Sequence, residues 1–115
     1  MHRIHGGHTT PGKTGWRSYE GENPGTNYSG VFVHVDTSAA CFSKTPVYVC
    51  SIGGDSEMWA TTGGSAVYSA TKSEFVVFVR CSEHENNDPT KPMKSITPRQ
   101  AEAWKWHINW IGYEA

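Results

Sequence analysis

Residues 30–36 read GVFVHVD, and their alternation decides the fold class. Val31, Val33 and Val35 fall on one side of an extended chain and Phe32, His34 and Asp36 on the other, because successive strand side chains point to opposite faces. Branched and aromatic side chains also suit a pleated, half-buried surface. The same texture returns in PVYVCSI at residues 46–52 and in EFVVFVRC at residues 74–81. Between them, residues 57–69 form a further extended segment broken by Gly63 and Gly64, which marks a bulge or a turn. GWRSY at residues 15–19 reads as a short opening strand, and WKWHINWIGY at residues 104–113 as the closing one. In that last strand Trp106, Ile108 and Trp110 share the face expected to point inward, while His107, Asn109 and Ile111 share the other.

The expectation is an all-β protein: a six-stranded antiparallel β-sandwich with one short helix before the last strand. The helix is read from ITPRQAEAW, where Thr97 caps, Pro98 occupies a first-turn position and Gln100 completes a capping box. The preceding SEHENNDPTKPMKS is a long polar loop, a frequent carrier of function on β scaffolds. A chain of 115 residues makes one domain, assigned to residues 15–115. Residues 1–14, polar and rich in Gly and His, read as a flexible N-terminal arm or an edge segment.

Composition removes several function classes. Ten Lys and Arg against eleven Asp and Glu give a formal net charge of -1, so no basic stripe is available for a nucleic acid partner. No apolar run approaches the roughly 20 residues that span a bilayer, so membrane insertion is not expected, and the first residues carry no apolar core of a secretory signal. Cys41, Cys50 and Cys81 are odd in number, so pairing within one chain leaves at least one thiol over, and the redox compartment stays open. No nucleophile elbow, phosphate loop or paired-cysteine metal motif is present, and the chain is not expected to be an enzyme or to need a cofactor or metal.

The strands carry apolar residues on both faces, with Phe32, Tyr48 and Phe78 alternating with the valines. A sandwich needs only one apolar face per sheet, so the surplus points to outer surfaces covered by other subunits. Phe32, His107, Asn109 and Ile111 are the expected interface residues.

Four pieces in order carry a resemblance: GW at residues 15–16, Phe42 followed by PVYVCSIGGD up to residue 55, VYSATKSEFVVF at residues 67–78, and INWIGYE at residues 108–114. Together they resemble the H-type lectin domain, the family of snail agglutinin and the discoidin C-terminal domain. The resemblance implies a small antiparallel sandwich that forms trimers, sometimes hexamers, and binds Gal or GalNAc at subunit boundaries without an obligatory metal. It also favours an extracellular setting. Carried over residue by residue, it places the contacts of the loop after the first strand at Gly25 and Asn27, and those following the fifth strand at Glu83 and His84. Thr62 stands where the family has an arginine. Fold transfers more readily than specificity.

A sugar site needs a flat apolar face and a few planar hydrogen-bonding side chains. GGDSEMWATTGG offers Trp59 for the first, and Trp59 capping the end of the core is the structural alternative. His2, His5 and His8 recur every third residue, a spacing that would gather a metal ion only in an ordered arm. Asn27, Tyr28 and Ser29 form a glycosylation sequon, usable in a secreted chain. The expected function is a trimeric, lectin-like module binding Gal, GalNAc or related glycans through Gly25, Asn27, Trp59, Glu83 and His84. The alternative is a trimerising fibre-tip or assembly domain that binds a protein receptor.

Overall fold

The computed structural model describes residues 3–20 and 29–114. Gly25 and Asn27, and the sequon built on Asn27, lie outside the described residues. Among those described, seven strands rather than six form two antiparallel sheets: β1 (Arg3–His8), β2 (Arg17–Glu20), β3 (Ser29–Asp36), β4 (Val47–Gly53), β5 (Thr61–Thr62), β6 (Glu74–Cys81) and β7 (His107–Glu114). One sheet has the order β1-β7-β4 and the other β2-β3-β6-β5. All pairings are antiparallel, in keeping with the sandwich expected.

The seventh strand comes from the presumed arm. Arg3–His8 pairs along β7, from Arg3 opposite Glu114 to His8 opposite Asn109, so these residues are an edge strand and not a flexible arm. Its end is pinned by the Arg3 guanidinium, which donates to the carbonyls of Ala40 and Cys41 at 2.6 and 2.7 Å and lies 3.5 Å from the Glu114 carboxylate. Glu114, buried among these groups, also accepts hydrogen bonds from the Ser43 backbone N–H and hydroxyl, and these bonds hold its carboxyl below the usual value. His5 and His8 stand on opposite faces of this strand, so their three-residue spacing does not bring them together.

The layers meet where alternation put them, with one exception. Val31, Val33 and Val35 of β3 and Phe75, Val77 and Val79 of β6 are buried, and opposite them lie Ile108 and Trp110 of β7. In β4 the inward residues are Tyr48 and Cys50, while Val47 and Val49 are 65% and 66% exposed. Tyr48 therefore belongs to the core and not to the outer face. Its ring centroid lies 4.7 Å from that of Phe75, which joins the two sheets. Its hydroxyl accepts from Thr37 at 2.7 Å and donates to the Thr71 carbonyl at 2.6 Å, so the polar tip is satisfied where it is buried.

Helix α1 (Pro98–Ala103) starts with the expected capping box, Thr97 accepting from the Gln100 backbone and the Gln100 side chain from that of Thr97. It delivers the tryptophans of the C-terminal segment. Trp106 is fully buried, donating from Nε1 to the Ser56 carbonyl at 2.7 Å and accepting at its own carbonyl from Trp16 Nε1 at 2.8 Å. Trp104 packs over it, with ring centroids 5.3 Å apart. The three cysteines are free, Cys41 exposed and the other two buried. Among the described residues no helix is long and apolar enough to cross a membrane.

Candidate functional site

The outer face of the four-stranded sheet carries the features of a ligand site. Phe78 lies at its centre, half-buried. Tyr19 on β2 and Tyr68 each bring a ring centroid to 5.2 Å from it, at 70° and 90°, and Phe32 stacks on it at 5.5 Å and 26°. The two tyrosines thus stand edge-on over an aromatic floor, the geometry in which ring quadrupoles attract. Both remain substantially open to solvent, Tyr68 at 52%.

Two glycines make this arrangement possible. Gly30 packs directly against the backbone of β6, where a Cβ would press on the Val79 carbonyl and on Arg80. Gly63 has φ +102°, and a Cβ there would overlap the Phe78 carbonyl oxygen. From Gly63 the chain turns, the Ala66 N–H donating to the Gly63 carbonyl at 3.0 Å, and returns to β6 through a bridge between Tyr68 and Val76. That return places Tyr68 beside Phe78 and covers Val76. The expected break at Gly63 and Gly64 is therefore a turn.

A cleft of about 680 Å³ results, with Tyr19, Tyr68 and Phe78 as apolar walls and Thr62, Ser65 and Arg80 as polar lining. Thr62 pairs across with Arg80, so both lie at one end of the cleft.

Trp59 lies three residues before Thr62 and is not part of the cleft lining. The single 3₁₀ turn Met58–Ala60 immediately precedes β5 and leaves Trp59 85% exposed. Trp59 does not cap the core; that role falls to Trp106 and Trp16. The turn begins at Glu57, a non-glycine residue at φ 71°, a conformation that costs energy and is held in place by the surrounding contacts. Thr61 Oγ1 donates to the Met58 carbonyl at 2.6 Å, and Ser82 donates to the Ala60 carbonyl through its N–H at 2.8 Å and its hydroxyl at 3.0 Å. The Ala60–Ser82 pairing extends the β5–β6 ladder and brings the Trp59 turn beside the residues that follow β6.

Glu83 and His84 follow Ser82 directly in sequence. Both are already engaged. The Glu83 carbonyl accepts from the Lys94 N–H at 2.9 Å, and its carboxylate lies 4.0 Å from the Lys94 ammonium. His84 Nδ1 lies 2.7 Å from the Lys91 carbonyl, which makes Nδ1–H the donor in the neutral ring and leaves Nε2 as the acceptor. These bonds, with the His84–Met93 bridge, close the long polar loop into a folded excursion. Its return is fastened by the Ile96 N–H donating to the Ser29 carbonyl at the start of β3.

The expected interface residues do not form one surface. Phe32 belongs to the aromatic cluster on the four-stranded sheet, whereas His107, Asn109 and Ile111 lie on the outer face of the other sheet. There His107 directs Nδ1 to the Lys105 carbonyl at 2.9 Å, with Nε2 over Gly53. The face continues through the cross-strand row Ile4, Tyr113 and Val47 and through Ile111 beside Val49. Ile4, Val47, Val49 and Ile111 are all more than half exposed. Among the described residues no group of three or more His, Cys, Asp or Glu is gathered to hold a metal ion.

Tyr19, Tyr68, Ser65 and Arg80 were not expected in a site. Tyr19 is separated from Phe78 by 58 positions and reaches it only through the β2-β3-β6 order. The surplus of outward aromatics at Phe32 and Phe78, read from the sequence as a sign of a subunit interface, lies on this face. No protein-family model matches the chain, and no curated protein matches it.

Proposed function

We propose that the protein is a carbohydrate-binding, lectin-like module that assembles as a homotrimer, with a glycan lying along the outer face of the four-stranded sheet and over its rim. The observation that carries this is the cleft on that face, with Tyr68, Phe78 and Tyr19 as aromatic walls and Thr62, Ser65 and Arg80 as polar lining, together with the exposed Trp59 on the turn before β5. Sugars present an apolar C–H face and an edge of hydroxyls, and this surface offers a partner for each. Trp59 supplies the stacking face at the rim. Glu83 and His84 Nε2 supply acceptors beside it.

The cleft is lined by aromatic rings, hydroxyls, backbone and the Arg80 side chain. Trimerisation is supported by the apolar outer face of the three-stranded sheet, and it would raise weak single-site affinity by presenting several sites to one surface. A glycan array tests the proposal: hits among Gal, GalNAc or related sugars are expected, lost in Trp59→Ala while the trimer persists. A blank array would contradict it.

The same apolar face favours a second reading, an assembly domain that holds three chains in register and binds a protein receptor. A trimer by light scattering together with the blank array would select that reading.

A further inference from the structure

We infer that β4 is a self-association edge: the free side of Val47–Gly53 pairs antiparallel with the same strand of a second copy of this chain. The inference goes beyond the glycan reading and depends neither on it nor on the trimer. An unpaired edge strand is a template for another strand unless something blunts it. Of the four edges of the two sheets, three are blunted. β5 is two residues long, and β2 is four residues long with Arg17 and Glu20 in it. β1 carries Arg3, His5, His8 and two glycines. β4 has none of these features: it runs seven residues, VYVCSIG, without a charge or a proline, and turns Val47 and Val49 to solvent.

The edge is open. Among the described residues the backbone of residues 47–53 is hydrogen-bonded to β7 alone, on one side. In an antiparallel pair only alternate residues direct their N–H and C=O groups at the same neighbour, so the others in β4 aim theirs outward. Residues 64–71 reach β4 through its inward side chains, the Cys50 thiol donating to the Gly64 carbonyl at 3.6 Å and the Tyr48 hydroxyl to that of Thr71 at 2.6 Å. Those contacts leave the backbone edge unpaired.

Charge selects the occupant. Lys44 precedes the strand by three residues and Asp55 follows it by two, both exposed and neither in an ion pair among the described residues. An antiparallel pair of identical strands is two-fold symmetric, so it brings the Lys44 end of each copy to the Asp55 end of the other. Opposite charges then bracket an uncharged ladder, whereas a parallel pair would set like against like. Centred on Cys50, the ladder uses all seven residues and lays Val49 opposite Ser51 of the second copy.

Sedimentation equilibrium of the full chain over a concentration series tests the contact. The mass is expected to double as concentration rises, whatever number of copies the dilute protein holds; that lower number tests the trimer separately. Lys44→Glu and Asp55→Lys each set like charges together at both ends, and each is expected to weaken the doubling about tenfold. Combining Lys44→Glu with Asp55→Lys should restore it. In the unaltered protein, hydrogen exchange should slow at alternate β4 amides as the doubled form fills, with β1, β2 and β5 unchanged. A mass that stays at its dilute value at every concentration would overturn the inference. Doubling that ignores the charge variants, or that protects a different edge, would overturn the assignment to β4. Protection of β4 by an added extended peptide, at constant mass, would give the edge to a foreign strand and overturn the second copy as its occupant.

Discussion

Trp59→Ala separates function from folding because Trp59 contributes little to the core. With 85% of the residue exposed, only a small strip is out of water. On the scale of the 150–250 Å² that a buried aromatic removes from solvent, that strip is about 40 Å² at most. At ~25 cal/mol per Å² its loss costs about 1 kcal/mol, a shift of a few degrees in Tm. Trp106→Ala is the control. That side chain is fully buried and donates to the Ser56 carbonyl, so its truncation is expected to cost about 3–5 kcal/mol. As the proposed anchor of ligand binding, Trp59 would be worth about 2 kcal/mol, or roughly thirtyfold in affinity. Urea denaturation and a glycan titration on the same samples read both effects. A loss of 3 kcal/mol or more in stability, or unchanged glycan affinity in a stable variant, would refute the assignment of Trp59 to the ligand surface.

Gly63→Ala places a Cβ against the Phe78 carbonyl at a left-handed φ, so it is expected to lose about 1–3 kcal/mol in urea denaturation and to displace the turn leading to Tyr68. Glu114 has a folded pKa below its ordinary value of 4.5, so the stability it contributes is complete above that value and is lost as pH falls through the lower, folded one. Thermal melts of Glu114→Gln should accordingly show a shallower loss than the parent protein over the acidic range below 4.5, and parallel curves would contradict the latch drawn for β1. Val49→Lys, at a position 66% exposed, is expected to leave the fold intact and shift light scattering from trimer to monomer, whereas an unchanged trimer would remove the three-stranded sheet from the interface. His107→Ala on the same face should weaken assembly before it weakens glycan binding.

Much of the fold was legible because β3 alternates, β6 is a run of β-branched and aromatic residues, and the Thr97–Gln100 box is a local signal that needs no tertiary context. β1 was not legible as strand for a physical reason: Gly6 and Gly7 contribute no side chains, so no alternation shows, and pairing with β7 overrides the weak local preference. Tyr48 illustrates a second limit. Alternation identifies which residues share a face but not which face is inward, and in β4 both faces are apolar. Phe75, Thr37 and Thr71 decide it from other parts of the chain. The exposure of Trp59 was not legible, since the glycine-flanked stretch around it left core capping as an alternative, and Tyr68 was hidden behind the turn at Gly63. The Lys94 and Lys91 partners of Glu83 and His84 could be seen only once the loop was folded.

The central claim is that a glycan occupies the outer face of the four-stranded sheet. Chemical-shift mapping of the ¹⁵N-labelled protein during titration with Gal- and GalNAc-containing oligosaccharides tests it most directly. The account predicts saturable shifts concentrated at Trp59, Thr62, Ser65, Tyr68, Phe78 and Arg80. Shifts confined to the opposite sheet, around Val49 and Ile111, or no shifts with any oligosaccharide, would contradict it.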